Sequence, residues 1–125
     1  MFDDYEELAE TGLKIAAALV VKSLDAGGVC AFGANCTTLD GRQKVEFPAR
    51  GGEIHKNDIL REMAMIRAID GASFSSILAV DIAKGVMNSE IFIITPYLDE
   101  GISEQIAIFE RLGNAVRVIT PNTNR

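Results

Sequence analysis

Ile91–Phe92–Ile93–Ile94–Thr95–Pro96 and Val116–Arg117–Val118–Ile119–Thr120–Pro121 are short apolar runs closing on the same tripeptide, about one helix's worth of chain apart. Runs rich in β-branched residues that alternate with helical patterns are the mark of parallel strands in an α/β sheet. Proline has no N–H to give to a ladder, so Pro96 and Pro121 mark where each strand stops. Ligands of open α/β sheets gather at that carboxyl edge. The residues around it therefore decide whether the chain carries chemistry there.

Outward from these runs, the loop Tyr97–Gly101 leads into a helix over Ile102–Leu112, and Gly113–Asn114 turns the chain into the second run. Upstream, apolar spacing predicts a helix over Phe74–Met87, with Ile77, Leu78, Ile82 and Val86 facing inward and Ser73 as its N-cap. Another helix is expected over Ile54–Ile69. Before it, Val29–Gly33 and Arg42–Phe47 flank Asp40–Gly41, a strong turn signal, and read as an antiparallel edge hairpin closed by Pro48. The chain opens on a helix begun by Asp3 and Asp4, with Glu6 and Glu7 suiting the dipole of its first turn. Its apolar face runs through Tyr5, Leu8, Gly12, Ile15, Leu19 and Leu24, and Gly27–Gly28 ends it. The expected fold is an α/β domain over residues 1–125, with an open, mostly parallel sheet, one antiparallel edge hairpin and helices on both faces. A doubly wound sheet normally begins with a central strand, and none precedes the first helix. The expectation is a first central strand that is missing and a chain that is part of a longer protein.

Composition narrows the function classes. With 125 residues, 48% of them hydrophobic, the chain is long enough to bury roughly two-thirds of its unfolded surface. Lys and Arg number 12 against 18 Asp and Glu, a net charge of −6. That balance opposes sequence-independent nucleic-acid binding and adsorption to anionic membranes. No run approaches the ~18 apolar residues of a membrane span, so a cytoplasmic domain is expected. Cys30 and Cys36 have neither zinc nor redox spacing and read as free thiols. Gly27–Gly28 and Gly51–Gly52 match no phosphate-loop pattern. His55, the single histidine, has no nucleophile elbow beside it and reads as a surface or capping residue.

The carboxyl edge offers Ser73, Ser75, Pro96, Tyr97 and Asp99, with Asp70 nearby. Asp70, Ser73, Ser75 and Asp99 are hard oxygen donors of the kind magnesium takes. Each also has an ordinary local role as turn residue, cap or solvated loop residue. No catalytic, cofactor-binding or metal-binding residue is assigned from these residues.

Gly71–Ala72–Ser73–Phe74–Ser75–Ser76–Ile77–Leu78, then a helix and Ile91–Phe92–Ile93–Ile94–Thr95–Pro96–Tyr97–Leu98–Asp99, resembles the second half of a von Willebrand factor A-like domain. More narrowly, the chain resembles the carboxyl-terminal part of the bacterial family called domain of unknown function 58. The opening Asp4–Tyr5–Glu6–Glu7–Leu8–Ala9 helix, the Gly27–Gly28–Val29 strand and hairpin, and the Ile59–Leu60–Arg61–Glu62–Met63–Ala64 helix follow its order. The resemblance spans nearly all of the chain and implies a three-layer A-like fold, also described as Rossmann-like. In A domains a divalent ion is held by an Asp-x-Ser-x-Ser loop, a threonine and an aspartate. Here the loop is absent, Ser73 takes the threonine's place, and Pro96 stands where the aspartate belongs. The resemblance thus implies a degenerate metal-ion-dependent adhesion site that binds no metal.

The strand order of A-like sheets places the absent strand between Val29–Gly33 and Glu90–Thr95. Unpaired edges promote association, so these strands are expected either to pair directly or to form a homodimer. The resemblance also implies a non-enzymatic protein-interaction domain. Its partner would be a MoxR-type AAA ATPase, and its parent protein would be membrane-anchored through amino-terminal helices. The alternative is a small-ligand- or nucleotide-binding domain, flavodoxin-like or Rossmann-like, using the carboxyl edge near Ser73, Tyr97 and Asp99.

Overall fold

The computed structural model describes residues 4–68, 74–96 and 98–121, with side chains from residue 9 onward except that of Ala68. Within them the order is α1 (Asp4–Asp25), β1 (Cys30–Asn35), β2 (Thr37–Thr38), β3 (Lys44–Arg50), α2 (Glu53–Ala64), β4 (Ile66–Ala68), α3 (Phe74–Ala83), β5 (Glu90–Ile94), α4 (Glu100–Arg111) and β6 (Ala115–Ile119). The fold is mixed α/β, with the strands in three two-stranded sheets.

The two Ile-Thr-Pro runs form the parallel pair, β5 with β6, in register from Glu90 opposite Ala115 to Ile94 opposite Ile119. The expected hairpin is also present, β1 antiparallel to β3. Two expectations are corrected. A single, mostly parallel sheet is not formed, because β1–β3 and β2–β4 are antiparallel and β5–β6 is the one parallel ladder among the described residues. Direct pairing of the 29–33 and 90–95 segments does not occur either. Helices link the ladders. A Cβ built on Gly12 of α1 would lie 3.3 Å from Ile94 of β5, and one on Gly33 of β1 would lie 3.8 Å from Ile77 of α3.

Element boundaries follow local chemistry. α1 stops in a Schellman turn: Gly28 N–H donates to Ser23 O at 3.0 Å, Gly27 N–H to Leu24 O at 3.1 Å, and Gly27 takes φ of 85°. Pro48 lies inside β3 rather than closing it. The register steps between Cys30–Arg50 and Phe32–Phe47, which leaves one extra residue at Pro48–Ala49 opposite Ala31. A bulge tolerates the missing proline N–H. α2 ends at Ala64, short of Ile69, because Ile66–Ala68 turns into β4 against Thr37–Thr38. That turn brings Ile66 onto Ala34, Cys36 and Val45. α3 ends at Ala83, short of Met87, because Gly85 takes φ of 80° and its N–H donates to Ile82 O at 3.0 Å.

The core has two parts. Val20 and Leu24 of α1 pack with Ile59 and Met63 of α2 over Cys30, Phe32 and Phe47, and Phe32 and Phe47 also meet the Ala34–Cys36–Val45 cluster. Leu78 of α3 packs with Ile93 of β5 and with Ile102 and Phe109 of α4. Side chains alternate across a strand. In β1 the even-numbered Phe32 therefore meets α1 and α2, while Gly33 meets α3. In β5, Ile91 and Ile93 meet α3 and α4, while Ile94 meets α1. No helix among the described residues is long and apolar enough to cross a membrane.

Candidate functional site

The parallel pair sets the geometry of its own carboxyl edge. β5 ends at Ile94, and the next N–H, that of buried Thr95, donates to Ile119 O at 3.1 Å. Pro96 follows, half-buried. Asp99 is the N-cap of α4, in extended backbone, with its Oδ1 accepting from Ile102 N–H at 2.8 Å. Asp99 O accepts from Ser103 N–H at 3.0 Å and begins the helical ladder. This Asp–x–x–Ile arrangement satisfies one of the four N–H groups that every helix start leaves without a partner.

Ser75 reaches the same place from the first turn of α3. A Cβ on Gly101 would sit 3.4 Å from Asp99 Oδ1, 3.7 Å from Ser75 Cβ and 3.8 Å from Ser75 Oγ. Gly101 therefore lets the start of α4 approach the start of α3, and Ser75 and Asp99 stand on either side of it. Ser73, Tyr97 and Asp70 lie outside the described residues.

Of Asp70, Ser73, Ser75 and Asp99, the described residues include Ser75 and Asp99. Pro96 supplies no carboxylate, and one oxygen of the nearby Asp99 is engaged with the helix backbone. Among the described residues no three His, Cys, Asp or Glu side chains come together at this edge or elsewhere.

A second chemical candidate is Cys30 beside His55. His55 is buried, not superficial as its sequence context suggested. Its Nε2 lies 2.7 Å from the carbonyl oxygen of Cys30, and its ring meets Phe47 edge-on at 5.9 Å. It addresses the Cys30 carbonyl, whereas the thiol donates to Ala31 O at 3.3 Å. Burial pushes the Cys30 thiol up from its ordinary value. A nucleophilic cysteine needs a shift in the other direction and a base on its sulfur. The pair is structural, pinning the start of β1 to α2.

Asn114 is a further residue whose role its sequence context does not announce. It read as half of a turn, yet it is buried and bonds to three backbone groups: Phe109 O at 2.9 Å, Val86 O at 3.0 Å and Ser89 N–H at 3.0 Å. One available signal was its position directly after Gly113, at a helix end facing the α3–β5 connection. The other charged clusters lie on the surface. Lys56 joins Asp25 at 2.8 Å and Glu53 at 3.1 Å. Glu46 sits between Lys44 and Lys84, and the Lys44 hydrogen bond is the main cause of its lowered carboxyl pKa.

No protein-family model, curated protein or solved structure matches this chain.

Proposed function

We propose that the chain is a non-enzymatic protein-interaction domain of the domain-of-unknown-function-58 type that works with a MoxR-type AAA ATPase. The observation that carries this reading is the use of Asp99. At the edge where an α/β domain would keep its chemistry, the carboxylate caps a helix, and proline stands at the end of the neighbouring strand. The buried His55 likewise serves a backbone carbonyl and leaves the thiol without a base.

The three-layer A-like arrangement is supported by the course of α1. Its Gly12 touches Ile94 and Pro121 at the carboxyl ends of β5 and β6, and its last turn leads directly into β1. The contacts of α1 and α2 fall on one side of the strands and those of α3 and α4 on the other.

The test has two arms. Titration of the chain into a purified MoxR-type ATPase from the same genome is expected to give a stoichiometric complex by calorimetry. Thermal-shift screening against ATP, FMN and magnesium is expected to leave the midpoint where it was. Stabilisation by several degrees with ATP or FMN would overturn the reading in favour of a flavodoxin-like or Rossmann-like ligand domain. Stabilisation with magnesium would restore the metal-dependent one.

A further inference from the structure

We propose that the outer surface of α3 and α4 docks an amphipathic helix of a partner protein, apolar on the side laid against α3 and rich in lysine or arginine beside α4. This deepens the interaction-domain reading and rests on it.

The two helices lie side by side and run the same way. At their starts, a Cβ on Gly101 would sit 3.7 Å from Ser75 Cβ. Past their ends, the Asn114 amide donates to Val86 O at 3.0 Å. Their inner sides are engaged: Ile77 approaches Gly33 of β1, and Leu78 packs with Ile102 and Phe109. The outer side of α3 is Ser76, Ala79, Val80 and Ala83, all exposed. A helix lying between a core and water carries charged and polar residues on its outer face, as α2 does with Glu53, Asn57 and Arg61. α3 carries no charge there, and Ser76 is its one polar group. Its single charged residue, Asp81, is half-buried. Val80 is 37% exposed, and Met87, shortly past the end of the helix, is 54% exposed.

The outer side of α4 supplies the charge that names the occupant. Glu100, Glu104 and Glu110 are exposed and enter no ion pair among the described residues, against the one guanidinium of Arg111 on the same helix. From Glu10 to Glu62, by contrast, every carboxylate is ion-paired to a lysine or arginine. Glu104 stands one turn from Gly101, which faces α3, so it borders the seam between the two helices. An uncharged helix face beside unpaired carboxylates is complementary to a helix with an apolar stripe and a basic flank. The stripe would lie on Ala79, Val80 and Ala83, side chains small enough for close approach, and the cations would reach Glu100 and Glu104. Such a helix rests in the seam at the usual spacing of about 8–10 Å from each neighbour. A second copy of this chain would bring the same unpaired carboxylates to the face and is the poorer occupant.

The probe is a synthetic peptide of about 15 residues, the length at which an isolated helix begins to hold, with leucine and alanine in an i, i+3, i+4, i+7 stripe and lysines beside it. Its control carries glutamate in place of the lysines. Calorimetry against the whole chain gives the Kd, and amide chemical shifts locate the site. The lysine peptide is expected to shift Ser76, Ala79, Val80, Ala83 and Glu104, and the glutamate peptide to shift none of them. Ala83→Arg sets a charge on the exposed apolar face, so it should keep the thermal midpoint and weaken binding by about tenfold or more. Glu100→Gln combined with Glu104→Gln should weaken it by about fivefold, the scale of two exposed ion pairs. The proposal is overturned by a lysine peptide that does not bind, by equal binding of the glutamate peptide, by shifts confined to another face, by an Ala83→Arg variant that binds like the native chain, or by a homodimer that already covers α3. Absence of peptide binding with an intact ATPase complex sinks this proposal alone. Peptide binding at α3 without an ATPase complex sinks the choice of partner and leaves the helix site standing.

Discussion

Replacing Asn114 with alanine tests whether one buried amide ties the entry to β5 to the entry to β6. The side chain is 6% exposed and makes three hydrogen bonds, to the end of α4 at Phe109 O and to the α3–β5 connection at Val86 O and Ser89 N–H. Phe109 O keeps the N–H groups of Leu112 and Asn114, so its loss is small. Val86 O and Ser89 N–H lose their amide partner. A hydrogen bond is worth about 1 kcal/mol net, and a stranded group costs about 1–3 kcal/mol. Val86 is half-buried and Ser89 exposed, so water reaches both and the lower end applies. The sum is about 2–3 kcal/mol. In a chain of this length ~1 kcal/mol moves Tm by roughly 3–5 °C, which gives a fall of roughly 6–15 °C. In urea the midpoint should drop with the slope unchanged. Asn114→Asp keeps the acceptor for Ser89 but turns a carboxylate toward two carbonyl oxygens. It should be at least as damaging at neutral pH and recover in part once protonated. A midpoint unmoved in Asn114→Ala, or an aspartate variant as stable as the native chain, would refute the reasoning.

Substitutions at four other positions probe separate features. Gly113→Ala forces a side chain onto φ of 88° and brings its Cβ to 2.8 Å from Asn88 Oδ1; a cost of about 1–3 kcal/mol is expected by chemical denaturation. Asp99→Ala removes the α4 cap and should cost about 1 kcal/mol, while Asp99→Asn should cost only a few tenths; equal losses in the two would mean the cap is not what the carboxylate supplies. Gly12→Val should cost about 1–3 kcal/mol by wedging α1 away from Ile94 and Pro121, read as a lower Tm. Burial raises the Asp81 carboxyl, with Glu46 adding to the rise and Lys84 opposing it. A raised folded value favours the folded state below the ordinary aspartate value of 3.8, and that advantage is lost as pH rises through the folded value. Asp81→Asn should therefore stabilise the chain at neutral pH and make no difference below the aspartate range. A gain of the same size at both pH values would count against burial as the cause.

The legible parts of the fold were those where several local signals agreed. α1 combined acidic residues at its start, an apolar face and a Gly–Gly stop, and its boundaries follow. The β5–α4–β6 unit combined β-branched runs, a helical stretch over Ile102–Leu112 and the Gly113 turn; α4 starts earlier, at Glu100, because Asp99, which read as a solvated loop residue, caps it. Boundaries failed where tertiary packing overrode propensity. Met63–Ala64–Met65–Ile66 is good helix sequence, but Ile66 gains more by joining Cys36 and Val45 than by adding a helical turn. β2 and β4 have only two and three residues, too short to leave a periodic pattern. Pro48 read as a strand terminator because a bulge depends on the partner strand, which local sequence does not state. At the carboxyl edge, Ser75 and Asp99 were both named from sequence, and Gly101 between them was not. His55 and Asn114 were undervalued for one reason: each is a polar residue with backbone partners 25 or more residues away, Asn114 through Ser89 and Val86 in addition to the nearby Phe109.

That same dependence on backbone explains why the chain carries so little motif. A catalytic or metal site must be written in side chains, because the chemistry requires particular acids, bases and nucleophiles at fixed spacing. The buried polar residues of this fold instead address backbone groups, which every residue offers, proline lacking only the N–H. His55 serves the Cys30 carbonyl, and Asn114 serves Phe109 O, Val86 O and Ser89 N–H. Contacts of this kind are specific in geometry and nearly silent in composition.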